Sequence, residues 1–368
     1  MSQGIKLIIT TLLGMSLLYL VRRLFFKCDE KPIKKILFLL LELLLIIAAA
    51  ALEMIGPPVF WRWGFFIVGI YIALCGDFAF GVLRLIILLI SKKDIVTKTN
   101  YKKMLLLSAV CATVYLAYGM INSSIVVPDY HVYESEKVSS DTNFVFLSDV
   151  HYGSSQSLNM LEKVVDEINE INPDFVVLGG DICDEYTSRD DMESIFALFG
   201  RISSPVYYVY GNHDRQAHAK DIIGQQYTED ELNDTIKSNN IIILADEFAE
   251  VNACVTVLGR EDVSEPGRKP AEKLTFPNKN NFNIVIDHEP YEKQEFGILN
   301  PDLQVSGHSH AGQLWPLSTV YTLAGYDNLG EYRYGDTVLY VSPGEAGWQM
   351  PFKTQAQCRY EVFTIKNK

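Results

Sequence analysis

Four long apolar stretches, Ile5–Val21, Ile36–Leu52, Trp63–Ile90 and Met104–Ile121, fill the start of the chain. A helix needs about 20 apolar residues to cross a bilayer, and each stretch is near or above that length. The third is overlong, which predicts tilt or an interfacial end, with Arg84 able to snorkel. The first runs into Arg22 and Arg23 without a small-x-small cleavage site, so it reads as a retained anchor, not a signal peptide. Residues 124–140, rich in Ser, Val and Tyr, read as a linker. Beyond them the pattern shortens. Strands are predicted at Phe144–Leu147, Phe175–Leu178, Val206–Tyr210, Ile241–Leu244, Val255–Leu258, Ile284–Ile286, Leu303–Val305, Val338–Val341 and Tyr360–Ile365. Leu158, Leu161, Val164, Val165, Ile168 and Ile171 recur at helical spacing until Pro173, and a shorter helix is expected over Met192–Phe199. The chain is therefore divided into a helical membrane region, 1–123, a linker, 124–140, and an α/β domain, 141–368.

Charge separates these parts. Residues 1–123 carry 14 Lys/Arg against 6 Asp/Glu, and the remaining residues carry 18 against 39. An acidic α/β domain lacks the basic footprint that nucleic acid requires. A purely soluble protein is excluded as well. The segment Arg22–Lys35 holds six Lys/Arg and Ser91–Lys103 holds five, whereas Glu53–Arg62 holds one. The positive-inside rule puts the two basic loops in the cytoplasm, and so places the N-terminus and everything after Ile121 outside the cell membrane. Glu42 and Asp77 lie inside apolar runs, where a protonated side chain hydrogen-bonded between helices is the favoured reading over transport. The six cysteines form no CxxC pair, which argues against a disulfide framework or a thiolate metal site.

Polar clusters follow the predicted strands: Asp149-x-His151, Gly180-Asp181-x-x-Asp184, Gly211-Asn212-His213-Asp214, Asp287-His288 and Gly307-His308-Ser309-His310. Five of the seven histidines fall in these clusters. Catalytic groups of α/β proteins gather at such strand ends. Mixed nitrogen and oxygen donors suit Mn, Fe or Zn better than the all-oxygen shells of Ca or Mg. A single structural zinc needs four ligands, and more candidates than that are present.

These blocks, D-x-H, G-D-x-x-D, G-N-H-D, H and G-H-x-H, resemble in order and spacing the calcineurin-like metallophosphoesterases. The run Gly307–Pro316 and the closing Ser342-Pro343-Gly344 segment resemble the family's membrane-associated G-H-T-H-G-G-Q branch, with Ser309 and Ala311 departing from its usual letters. The resemblance covers about residues 140–368. It implies a four-layer α/β/β/α sandwich and a site for two divalent or transition metal ions. One ion would be held by Asp149, His151 and His310, the other by Asn212, His288 and His308, with Asp181 bridging. It implies further that His213 faces the leaving group and that Asp184 orients it.

Other polar groups receive plainer readings. Asp214 and Asp287 are expected to support or cap loops, and His131 and His218 to lie on the surface. Leu314, Trp315, Pro316 and Leu317 read either as core or as an apolar lip, and Tyr321, Tyr326, Tyr332 and Tyr334 are candidates for the mouth of the site. The expected protein is an integral membrane hydrolase acting on a phosphoester or pyrophosphate bond, in a phosphorylated small-molecule or lipid-linked substrate at the outer membrane surface. Its rivals are a cytoplasm-facing nucleotide phosphodiesterase and a non-catalytic membrane receptor or scaffold. Oligomeric state is not legible.

Overall fold

The computed structural model describes residues 3–25, 32–52, 57–92, 101–217, 219 and 223–368. The basic-loop residues 26–31 and 93–100, residues 53–56, and His218 lie outside the described residues, so the loop-charge reading and the His218 reading fall largely on them. The chain divides into two compact units: Met1–Ile121 with Trp315–Leu317, and Asn122–Leu314 with Ser318–Lys368.

The first unit is helical. Its helices are α1 (Gln3–Phe25), α2 (Pro32–Ala51), α3 (Pro57–Ser91) and α4 (Tyr101–Asn122, whose last residue falls in the second unit). Among the described residues, two stretches, Trp63–Ser91 and Leu105–Asn122, are long and apolar enough to cross a membrane, and Ile5–Leu18 is apolar but shorter. Asp77 is buried and accepts a 2.9 Å hydrogen bond from Ser108, which ties α3 to α4. Tyr71 and Tyr115 join the same two helices through their hydroxyls at 2.6 Å. Glu42 is also buried, at 2% exposure.

The second unit is built from strands β1 (Val126–Ser135), β2 (Thr142–Leu147), β3 (Phe175–Leu178), β4 (Val206–Tyr208), β5 (Ile241–Ile243), β6 (Glu247–Glu250), β7 (Val255–Gly259), β8 (Phe282–Ile286), β9 (Leu303–Ser306), β10 (Gly330–Tyr334), β11 (Thr337–Val341) and β12 (Cys358–Asn367). They form two six-stranded sheets, β1-β12-β2-β3-β4-β5 and β10-β11-β9-β8-β7-β6. Helices α5 (Leu158–Ile171), α6 (Arg189–Phe199) and α7 (Glu229–Ser238) cover the first sheet. The outer face of the second sheet is covered more thinly, by Ala271–Phe276 and by α8 (Phe296–Leu299); a further helix, α9 (Leu317–Leu323), follows β9. This is an α/β/β/α sandwich.

Period-two alternation sets the layers. In β2, Phe144 and Phe146 enter the core between the sheets, while Val145 and Leu147 face the helices. Phe144 stacks on Phe175 at 4.9 Å and on Phe363 at 4.7 Å. Helix α5 buries Leu161, Val164, Val165 and Ile168 and ends at Asn172, whose left-handed backbone precedes Pro173. Ser188 caps α6, and Thr228 with Glu231 makes a reciprocal capping box on α7.

The segment expected as a linker, 124–140, is strand over Val126–Ser135. It pairs in parallel with β12 along its whole length at the sheet's edge. Pro128 is tolerated there because an edge strand leaves alternate N–H groups unused.

Candidate metal centre

The polar clusters sit where strands end. Asp149 and His151 follow β2, Asp181 follows β3, Asn212 and His213 follow β4, His288 follows β8, and His308 and His310 follow β9. Asp149, His151, Asp181, His308 and His310 all adopt positive φ, between 45° and 67°. Such backbone is uncommon for non-glycine residues and costs about 1–3 kcal/mol each, so it persists only where surrounding structure imposes it. Here the chain turns sharply as it leaves each strand, and the turn brings the side chains together. Gly180 makes one turn possible. Its φ is 89°, and a β-carbon there would lie 2.6 Å from the Gly211 nitrogen and 2.7 Å from His288 Nδ1.

Two groups of donors result. The ligand atoms of Asp149, His151 and His310 lie within 4.8 Å of one another, and so do those of Asp181, His288 and His308. Asp181 Oδ2 lies 3.1 Å from His288 Nε2 and 3.7 Å from His151 Nε2, so this one carboxylate faces both groups. Its other oxygen accepts the His213 N–H at 2.9 Å. Asn212 Oδ1 stands 3.0 Å from His308 Nδ1.

The hydrogen bonds reveal which nitrogens are free to bind. His310 Nδ1 donates to the Ala346 carbonyl at 3.0 Å, and His288 Nδ1 donates to the Gly179 carbonyl at 2.8 Å. Each ring therefore turns Nε2 inward. His310 Nε2 meets His151 Nε2 at 3.1 Å and Asp149 Oδ1 at 3.5 Å, and His288 Nε2 is buried facing Asp181 Oδ2 at 3.1 Å. Lone pairs aimed at lone pairs and at carboxylates repel unless a cation lies between them. The donor set fits two divalent metal ions, one for each group.

Electrostatics agree. Burial holds His151 well below its ordinary pKa and takes His308 down to about 3, in both cases with neighbouring imidazoles adding to the effect. Burial also lowers His310, with the Lys353 ammonium adding to it. Neutral imidazole is the ligating form. Burial pulls His288 down too, but Asp181 outweighs it and raises the group well above its ordinary value. A proton on Nε2 there occupies the position between nitrogen and carboxylate that a cation would take.

His213 is buried at the edge of these groups, its ring centroid 5.3 Å from that of His151 and 5.9 Å from that of Trp348. Its Nδ1 hydrogen-bonds Glu185 Oε1 at 2.7 Å. Glu185 thus stands in the place expected of Asp184. Asp184 instead accepts from the Ser154 hydroxyl and the Tyr186 N–H, and lies 3.9 Å from His151 Nδ1. The two acids are adjacent in sequence, and only the direction of the turn after Asp181 decides which one meets His213. Burial lowers His213, but Glu185 and Asp181 outweigh it and lift the ring to about 10.

Asp214 is a loop cap: its carboxylate accepts from the Asp181, Cys183 and Gly211 amides at 2.7–3.0 Å. Asp287 forms a two-pronged pair with Arg268. His131 departs from the surface reading. It is half-buried against Tyr340 and Phe363, with Nε2 2.7 Å from the buried Glu361. Asp129 completes a third group of possible ligands, but Arg359 pairs with both Asp129 and Glu361 and already supplies the positive charge. Leu314 and Leu317 are buried, leaving Trp315 partly exposed. Tyr326 and Tyr321 continue an edge-to-face series that begins with Tyr291 against His308, whereas Tyr332 and Tyr334 pack beside Phe296 and Leu339. Tyr291 and Glu185 were not singled out by the sequence, since neither lies at a motif position.

Residues 142–312 match the family profile described as calcineurin-like phosphoesterase. An uncharacterized metallophosphoesterase of Campylobacter jejuni is 25% identical over 300 residues, covering 79% of this chain and 77% of that protein. A Danio rerio protein described as a transmembrane protein with metallophosphoesterase domain is 26% identical over 321 residues, covering 81% of this chain and 72% of its own. An Escherichia coli phosphodiesterase is 28% identical over 183 residues, covering 46% of this chain and 61% of its own.

Proposed function

We infer that this chain is a calcineurin-like phosphoesterase, a reading supported by the match over residues 142–312, and that it is a membrane-anchored hydrolase of phosphoester or pyrophosphate bonds in envelope or lipid-linked substrates at the outer membrane surface. The paired Asp/His groups make the chain a metal-dependent hydrolase acting on a phosphoester bond. The observation that carries the mechanism is Asp181, one carboxylate facing both groups.

In this reading Asp149, His151 and His310 would hold one ion, Asn212, His288 and His308 would hold the other, and Asp181 would serve both. Two such cations, when bound, lower the pKa of a water and neutralise phosphoryl oxygens, and the nitrogen-rich donor set favours Mn, Fe or Zn. His213 is the acid. Glu185 on Nδ1 stabilises the imidazolium and fixes its orientation, so Nε2 carries the proton given to the departing oxygen. Asp184 acts at one remove, buttressing the loop beside His151.

The membrane location is supported by the two spanning-length helices and by apolar side chains left outward on all four: Leu12, Leu44, Leu89 and Val114 are 59–69% exposed. The name of the Danio rerio relative points the same way. Four crossings with the basic loops inside would put residues 124–368 outside the cell membrane.

Asp181→Asn and His213→Ala test the assignment on purified, metal-loaded protein. Turnover should fall by at least about a hundredfold in each, the low end of what general acid–base catalysis supplies. His213→Ala should still bind both metals. Full metal-dependent turnover in both variants would overturn the mechanism.

A further inference from the structure

Behind the Asp149 group lies a loop, residues 343–355, whose backbone holds that group in place and whose Trp348 ring stands 5.9 Å from that of His213. The Ala346 N–H donates to the Asp149 carbonyl at 3.0 Å, and the Glu345 N–H donates to the Ser148 carbonyl at 3.0 Å. Gly344, at φ 75°, lies so close that a β-carbon would meet Asp149 Cβ at 2.5 Å. The Ala346 carbonyl takes the Nδ1 proton of His310. A displacement of this loop would therefore release the tautomer and orientation of His310 and the wall that holds Asp149.

The loop is fastened from inside. Lys353 is fully buried, and its ammonium donates to the Pro343, Gly344 and Ala346 carbonyls, the last two at 3.3 Å. Three donors meet three carbonyls, so the cation is satisfied without a carboxylate partner. Gln313 grips the same loop further along, accepting from the Trp348 N–H at 2.7 Å and donating to the Phe352 carbonyl at 3.0 Å. A buried ammonium is costly to desolvate and is rarely kept where an apolar side chain would serve. Here it draws together three carbonyl dipoles that would otherwise repel, and one of them is the acceptor that sets His310.

We propose that Lys353 is a positioning residue for one of the two metal ions: by gathering the Pro343, Gly344 and Ala346 carbonyls, it fixes the Ala346 acceptor that orients His310 toward Asp149 and His151. The proposal rests on the metal-ligand reading above. Its distinguishing consequence is asymmetry, since the Asp181–His288–His308 group takes its backing from Gly179 and not from this loop.

The test is Mn²⁺ titration, by calorimetry and electron paramagnetic resonance, of full-length chelator-stripped protein in detergent. Wild type should bind two ions. In Lys353→Met one site should weaken at least about tenfold, the usual cost of losing an outer hydrogen-bond partner, while the other stays within about twofold. Lys353→Gln, which keeps an N–H donor, should fall between, and it carries the test if the Met variant does not fold. Equal weakening of both sites in step with a lower melting temperature of the metal-free protein would make Lys353 merely structural and overturn the proposal. So would two unchanged sites. Fewer than two ions on wild type would instead sink the underlying site reading.

Discussion

At the scale of single residues, His213 and Glu185 give the sharpest consequence. A raised histidine pKa means the proton is present at low pH and lost as pH rises through the folded value. If that proton drives leaving-group departure, the alkaline limb of kcat/KM reports it. Removing the charge of Glu185 takes away the largest upward influence and leaves burial, which lowers the ring, opposed only by Asp181 and Asp184. Glu185→Gln should therefore move the alkaline limb to lower pH at saturating metal, and an unmoved limb would detach Glu185 from the chemistry. Glu345 offers a second pH signature. Its carboxyl is fully buried with neither oxygen hydrogen-bonded, and burial pushes it up to about 8. The folded state then holds a proton that the unfolded chain releases near its ordinary value, so stability falls as pH rises between those values. Glu345→Gln should gain melting temperature relative to wild type on going from pH 5 to pH 8, and a constant difference would contradict the neutral carboxyl. Residue types carried much of the site into the sequence, because histidines and carboxylates placed directly after apolar strands have few other uses. What stayed hidden was direction. Asp184 and Glu185 are neighbours of the same charge, and Lys353 looks like any lysine until its three carbonyl partners are seen.

At the scale of elements, most of the legible strands were buried ones, with β5 legible at a sheet edge through its unbroken isoleucines. Phe144–Leu147, Phe175–Leu178 and Ile284–Ile286 are continuous apolar runs because both faces are covered. β1, β6 and β10 escaped because each lies at a sheet edge, where one side of the strand meets solvent and the pattern turns polar. β1 had a further disguise, since its partner β12 is the last strand in the chain and no local pattern signals so distant a pairing. α7 was missed because only Leu232 and Ile236 are buried, too few to show a helical period. Phe144 joins these elements, stacked on Phe175 from β3 and Phe363 from β12. Phe144→Ala should cost about 3–5 kcal/mol, the range for emptying an aromatic core site. Denaturant titration of the variant reads this directly, and a loss under about 1 kcal/mol would mean the two sheets are not held by this stack.

At the scale of the whole molecule, two properties frame the function: an apolar helical unit and an acidic catalytic unit. The apolar runs were plain in the sequence, but spanning length is met among the described residues by two stretches. A reporter fused at the C-terminus should be active outside the cytoplasm, and activity inside would favour the nucleotide-directed rival. The central claim, a dinuclear hydrolase built on Asp181, is tested most directly by one assay. Purified wild type and Asp181→Asn would be stripped, reloaded with Mn²⁺, counted for bound metal, and offered aryl phosphomonoester, aryl phosphodiester and lipid-linked pyrophosphate substrates. Two ions per wild-type chain and turnover in at least one substrate class are expected, with paired-ion binding and turnover both lost in Asp181→Asn. Turnover that survives stripping, or that Asp181→Asn retains in full, would contradict it.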